Sequence, residues 1–109
     1  MTQNRIITEQ KCIAVIGATG SVGSSVLDVC RSHEKRFKVS ALAANTGAEA
    51  LGRLAVEFGV RKVSLTERAA ASFLKGKLPD EVRIFSGSEG LMEIAQDPEI
   101  DHIVFASSG

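Results

Sequence analysis

The sequence contains no tryptophan and no tyrosine, and only five phenylalanines. A site built on aromatic stacking is therefore not expected. Cysteine occurs twice, at Cys12 and Cys30. Two are too few for a disulfide framework, and their spacing matches no metal-ligand pattern. Structural, reduced thiols in a cytoplasmic protein are the expectation. Net charge is also missing, because 13 Lys and Arg balance 13 Asp and Glu. With no basic stripe there is no footprint for nucleic acid. No apolar run reaches the roughly 18 residues that a membrane helix needs. The opening MTQNRIITEQK is polar and has no signal-peptide core.

What is present is an alternation. At 109 residues the chain is expected to be one domain, with residues 1–10 as a flexible tail and 11–109 as the folded unit. CIAVIG (12–17) is a continuous apolar run, as in a strand covered on both faces. Ser21 to His33 places Val22, Val26, Val29 and Cys30 at helical spacing. KVSALAA (38–44) reads as a second strand. Ala48, Leu51, Leu54, Ala55 and Phe58 then share one helical face, and Gly59 closes that helix. Thr46 and Glu49 have capping-box spacing, as do Ser86 and Glu89 before LMEIAQ. VRKVSL (60–65), VRIFS (82–86) and HIVFA (102–106) read as three more strands, with Thr66 placed to cap the helix at 67–75. Five strands alternating with four helices predict an α/β fold, a Rossmann-like doubly wound parallel sheet.

The chemistry gathers where the first strand meets the first helix. Gly17, Gly20 and Gly23 are spaced three apart in GATGSVG. A helix N-terminus offers unpaired N–H groups and partial positive charge to a pyrophosphate. Gly17 allows the tight turn, Gly20 lets backbone approach phosphate, and Gly23 lets helix pack close to strand. Thr19, Ser21 and Val22 supply further N–H groups. The spacing is G-x-x-G-x-x-G and not G-x-G-x-x-G. Its position between a buried-type strand and a helix is the context such a cradle requires. The competing reading assigns these glycines to turn and packing alone.

NAD sites usually carry an acid about 20 residues further on, which accepts from the ribose 2′-hydroxyl. Here that stretch is Ala43-Ala44-Asn45, without Asp or Glu. A carboxylate would repel a 2′-phosphate, so its absence favours NADPH. Asn45 and Thr46 have side-chain donors for that phosphate, beside Ala44, and Thr46 can also be read as a helix cap. Arg68 is a weaker phosphate candidate and is more simply a solvated charge. His33, His102 and Asp28 carry no catalytic pattern. Neither a catalytic residue nor a metal ligand is expected within the chain.

The segments GATGSVGSSVLDV, RFKVSALAANTG, VRKVSLTE and DPEIDHIVFASSG resemble the N-terminal domain of the 1-deoxy-D-xylulose 5-phosphate reductoisomerase family over residues 12–109. The resemblance implies an oxidoreductase of non-mevalonate isoprenoid biosynthesis. Such an enzyme rearranges its sugar-phosphate substrate and reduces the resulting aldehyde with NADPH to 2-C-methyl-D-erythritol 4-phosphate. It implies Mg²⁺ or Mn²⁺, and a homodimer, for the complete enzyme. Thr19, Gly20, Ser21 and Val22 would hold the pyrophosphate, Asn45, Thr46 and Gly47 would surround the 2′-phosphate, and Ala106 and Ser107 would lie near the nicotinamide ribose. Many members carry G-[KRS]-N where this chain has Asn45-Thr46-Gly47. The family's metal-binding acids and substrate-phosphate residues fall after Gly109, so a truncated, inactive fragment is expected. Two alternatives stand beside this reading: the cofactor domain of a semialdehyde dehydrogenase type of enzyme, and a non-catalytic NADP(H)-binding module.

Overall fold

The structure, a computed structural model, describes residues 10–106. Nine elements alternate along the chain: β1 (Lys11–Ile16), α1 (Ser21–Ser32), β2 (Phe37–Ala44), α2 (Ala48–Phe58), β3 (Lys62–Leu65), α3 (Arg68–Leu74), β4 (Arg83–Ser86), α4 (Gly87–Ala95) and β5 (His102–Phe105). The strands form one parallel sheet in the order β4-β3-β2-β1-β5. Sequential strands step outward from β1 to β4, and the chain then returns to place β5 on β1's other side. That reversal makes the carboxyl ends of β1 and β5 a switch point, where open α/β sheets leave a crevice. The expected α/β fold is the observed one. The tail expected at 1–10 lies outside the described residues except for Gln10, whose Nε2 donates to the Glu34 carbonyl at 2.8 Å.

Side-chain alternation divides the core into two layers. Ile13, Val15, Val39, Leu42, Val63 and Leu65 face α1, α2 and α3, meeting Leu27, Cys30, Leu51, Ala55, Ala71 and Leu74. Each fully buried Leu or Val there contributes about 1.5–3 kcal/mol relative to exposure. Ala14, Ala41 and Ala43 face the opposite way, toward Ile94 of α4. A register shift between Ile13 and Ala14 leaves Ser40 as an extra residue in β2. This bulge re-phases the strand, so Val39 and Leu42 share the three-helix face although they are three apart.

Helix α1 keeps Cys30 and Val26 of the expected face against the core and turns the other two residues outward. Val22 is 51% exposed and Val29 52%, whereas Gly23, Leu27 and Cys30 are buried. A Cβ on Gly23 would stand 2.2 Å from the Gly17 carbonyl oxygen and 2.9 Å from Ala18 backbone. This contact rotates the helix until its glycine faces the strand, and Val22 and Val29 turn outward. For α2 the expected face holds: Leu51 and Ala55 are buried, with Ala48, Leu54 and Phe58 packed beside them. The capping boxes do not form. Helix α2 is entered through Gly47 in the left-handed region, φ 75°, so the cap falls one residue after Thr46. Ser86 precedes α4 without a side-chain cap bond, and α3 is capped at Glu67, not Thr66.

Candidate functional site

The turn after β1 is held by backbone bonds that leave its outer surface free. The N–H groups of Gly17 and Ala18 both donate to the Ala43 carbonyl, at 2.8 and 2.9 Å, which ties the turn to β2. Gly17 takes φ 86°, a conformation that suits glycine. Helix α1 starts from Gly20, and its first internal bond runs from Ser24 N–H to the Gly20 carbonyl at 2.9 Å. The N–H groups of Ser21, Val22 and Gly23 therefore lack intrahelical acceptors, and no side chain caps them.

The three glycines now separate by role. Gly17 makes the turn and Gly23 permits the helix–strand contact. Gly20 has neither reason: its φ is −83°, and an added Cβ would meet just the Gly17 carbonyl oxygen, at an ordinary 3.7 Å. Gly20 instead lines a cavity of about 500 Å³. This cavity lies at the carboxyl ends of β1, β2 and β5. Gly17, Thr19, Gly20, Ser21 and Val22 line it from the glycine turn, Ala44, Asn45 and Thr46 from the end of β2, and Ala106 from the end of β5. Nine of the twelve candidate residues thus come together. Gly23 lies beneath the cavity, in the packing contact. Gly47 lies beside it, where an added Cβ would be 3.7 Å from Thr19 Oγ1. Ser107 is outside the described residues.

The cavity also takes residues outside the twelve candidates: Ile16, Ala43, Thr66, Leu91 and Phe105. Thr66 follows β3, and its hydroxyl donates to Asn45 Oδ1 at 2.8 Å. Val22, Leu91 and Phe105 are large apolar side chains that remain 51%, 39% and 74% exposed. Together they give the polar floor an apolar wall. For Phe105 and Thr66 the available signal was position, since each sits at or just past a strand's carboxyl end. Leu91 lies mid-helix and carried none.

No charged side chain lines the cavity among the described residues. Its electrostatics are those of oriented backbone N–H groups and neutral polar side chains. The titrating groups with displaced equilibria lie elsewhere. Burial pushes the Cys30 thiol up, which makes it a poor nucleophile. A hydrogen bond from Arg31 holds Glu57 below the usual carboxylate range, and Arg31 itself is raised by the same bond. The Glu99 N–H holds Asp97 low, with Lys62 assisting. Asp97, Glu99 and Asp101 lie at the amino end of the sheet, where Asp101 accepts from Cys12 N–H at 2.8 Å. Among the described residues, no group of three or more His, Cys, Asp or Glu is placed to hold a metal ion. No helix among them is long and apolar enough to cross a membrane.

A family model described as 1-deoxy-D-xylulose 5-phosphate reductoisomerase matches residues 13–109. The 1-deoxy-D-xylulose 5-phosphate reductoisomerase of Ralstonia pickettii (strain 12J) is 40% identical over 100 residues, covering 89% of this chain and 25% of the relative. That of Geobacillus sp. (strain WCH70) is 35% identical over 99 residues, covering 91% and 26%. A crystal structure of DOX-P reductoisomerase in complex with NADPH, fosmidomycin and magnesium aligns with a TM-score of 0.80 at 35% identity, over 85% of this chain and 23% of that one. The Zymomonas mobilis reductoisomerase in complex with NADPH aligns with a TM-score of 0.73 at 30% identity, over 80% and 23%. This chain spans about a quarter of the length of the relatives it matches.

Proposed function

The chain belongs to the 1-deoxy-D-xylulose 5-phosphate reductoisomerase family, and from that premise we propose that residues 11–109 are a dinucleotide-binding domain that takes NADPH. The observation that carries this reading is Gly20, a glycine that the fold does not require and that opens the cavity beside unpaired helix N–H groups. The N–H groups of Thr19, Ser21 and Val22 would hold the pyrophosphate. Asn45 and Thr46 would meet the adenosine 2′-phosphate. The apolar wall of Val22, Leu91 and Phe105 suits a flat ring, and Ala106 would lie near the nicotinamide ribose. When bound, NADPH supplies a hydride to a carbonyl carbon. The described residues contribute binding, orientation and exclusion of water from one side of that hydride donor.

For the complete protein we propose the reductoisomerase reaction, with 1-deoxy-D-xylulose 5-phosphate as substrate and 2-C-methyl-D-erythritol 4-phosphate as product. Its partners would be that sugar phosphate and a second copy of the complete chain, in the cytoplasm. The Mg²⁺ or Mn²⁺ expected of the family has no fitting site among the described residues.

Calorimetric titration with NADPH and NADH tests the cofactor reading. NADPH should bind, and more tightly than NADH, because no carboxylate stands at the end of β2. Failure to bind NADPH, or equal affinity for both, overturns it. With substrate and Mg²⁺ or Mn²⁺ added, the 109-residue chain should show no loss of NADPH absorbance. Metal-dependent oxidation would reveal a site that the described residues do not contain.

A further inference from the structure

We propose that Leu91 is the contact for the adenine ring of the dinucleotide, and that Phe105 belongs to the nicotinamide half. The inference rests on the NADPH reading of the cavity and deepens it, by dividing the apolar wall between two rings. Leu91 and Phe105 both line the cavity and both remain exposed. They reach it from different ends of the sheet.

Gly90 places Leu91. A Cβ on Gly90 would stand 1.9 Å from Ser64 Oγ and 2.7 Å from Ser64 Cβ, so glycine lets α4 rest directly on β3. Ser64 is buried and lies two residues before Thr66, which lines the cavity from the end of β3. Leu91 follows Gly90 and therefore stands on the β3 side. Phe105 closes β5 and is paired in register with Ile16 of β1. The ends of β1 and β2 separate it from β3, and three strand spacings amount to about 14 Å. A single ring is much shorter than that, so no one ring meets both side chains.

The strand order assigns the rings. In a dinucleotide site the end of β2 meets the adenosine ribose, and the helix N-terminus after β1 meets the pyrophosphate. The adenosine half therefore runs from β1 toward β2 and β3, and the nicotinamide half crosses toward β5. Leu91 lies on the first path and Phe105 on the second. The other lining residues on the β2 and β3 side are Ala43, Ala44, Asn45, Thr46 and Thr66, all small or polar. Among the described residues Leu91 is thus the one large apolar surface there for the face of a purine.

Calorimetry on the parent chain, Leu91→Ala and Phe105→Ala tests the assignment, with NADPH, NADH and adenosine 2′,5′-bisphosphate, which lacks the nicotinamide half. Leu91→Ala should weaken all three by the same factor, roughly fourfold to fifteenfold, as loss of one or two buried methylene groups does. The ratio of NADPH to NADH affinity should hold. Phe105→Ala should weaken NADPH and leave the bisphosphate unmoved. In the NADPH complex of the parent, nuclear Overhauser contacts should link the Leu91 methyl groups to the adenine protons and not to the nicotinamide protons. A folded Leu91→Ala variant with unmoved bisphosphate affinity overturns this inference alone, as do contacts from nicotinamide to Leu91 or a Phe105→Ala variant that weakens the bisphosphate. If thermal melting showed Leu91→Ala unfolded, the contacts in the parent would decide. A parent that binds neither nucleotide overturns the cofactor reading and this inference together.

Discussion

At the amino end of the sheet, Lys62 at the start of β3 meets Asp97 at 3.0 Å, with both side chains nearly buried at 12% and 11% exposure. Arg61 pairs with Glu99, and Asp101 exchanges hydrogen bonds with Cys12. At the carboxyl end the same strands run out into Gly17, Asn45, Thr66 and Ala106, and among the described residues no charged side chain lines the cavity. One end pairs its polar groups with one another, and the other leaves N–H donors unpaired. Strand polarity explains the division. Helices of a parallel α/β sheet begin near the carboxyl ends of the preceding strands, so unpaired helix N–H groups collect there. The amino end has no comparable use for open donors, and ion pairs close it.

The largest expected effect lies where the carboxyl end is itself structural. Gly23→Val would drive a Cβ to 2.2 Å from the Gly17 oxygen. Backbone on both sides leaves no flexible neighbour to yield. We expect a loss of about 3 kcal/mol or more in urea unfolding, a large share of a domain's usual stability of about 5–15 kcal/mol. A midpoint close to the parent's would show that α1 can lift from β1 cheaply, and the assigned role of Gly23 would fall.

Gly20→Val should produce the opposite pattern. Its φ of −83° is open to valine, and the nearest atom to an added Cβ lies at 3.7 Å. Stability should fall by about 1 kcal/mol at most, the scale of a poor N-cap residue. NADPH affinity should fall roughly 30-fold or more, since overpacking a filled space costs about 1–3 kcal/mol and the side chain also blocks backbone donors. Retained affinity in this variant would move the phosphate cradle away from the α1 N-terminus.

These two glycines mark what could be read from sequence and what could not. Strands β1, β2 and β3 were legible because their inner residues are buried on both sheet faces, and a doubly covered strand reads as an apolar run; β4 and β5 are half-exposed edge strands. Gly17-Gly20-Gly23 was legible because its spacing sits between such a run and a helix. The inward face of α1 was legible only in part. Val22 and Val29 share helical spacing with Val26 and Cys30 but point outward, while Gly23 and Leu27 take the inward places, and periodicity gives no weight to a residue whose contribution is the absence of a side chain. Thr66 was read as a cap because local sequence cannot distinguish a helix cap from a bond to a residue 21 positions earlier. The bulge at Ser40 is also a property of strand pairing, invisible in β2 alone.

At the amino end, Asp97→Asn should cost about 1 kcal/mol, the range of a modest polar contact, and leave NADPH affinity unchanged. The pH dependence has a definite sign. Asp97 is held below its ordinary range, chiefly by the Glu99 N–H. Its stabilisation is therefore fully present above the unfolded carboxylate value of about 4, and it fades as pH falls through the lower folded value. Unfolding curves from pH 6 downward should show a shallower acid limb in Asp97→Asn than in the parent. Parallel limbs would mean that the carboxylate is not specially stabilised in the fold.

The smallest expected change in stability is at Thr46, and it separates the two ends most finely. By sequence Thr46 caps α2. By structure the cap is Gly47 at φ 75°, Leu51 N–H donates to the Gly47 carbonyl at 3.0 Å, and no side chain caps the helix. Removing a true threonine cap costs about 1 kcal/mol, which lowers the melting temperature by roughly 4–8 °C in a domain of this size. Thr46→Ala should instead stay within about 0.5 kcal/mol of the parent, as exposed substitutions do. Thr46 lines the cavity beside Asn45; if its hydroxyl meets the 2′-phosphate, NADPH affinity should fall roughly threefold to tenfold, the scale of one hydrogen bond, while NADH affinity should hardly move. The opposite result, a full cap's loss of stability with both affinities intact, would return Thr46 to the helix. It would also leave Asn45 as the remaining side-chain donor for the 2′-phosphate at the end of β2.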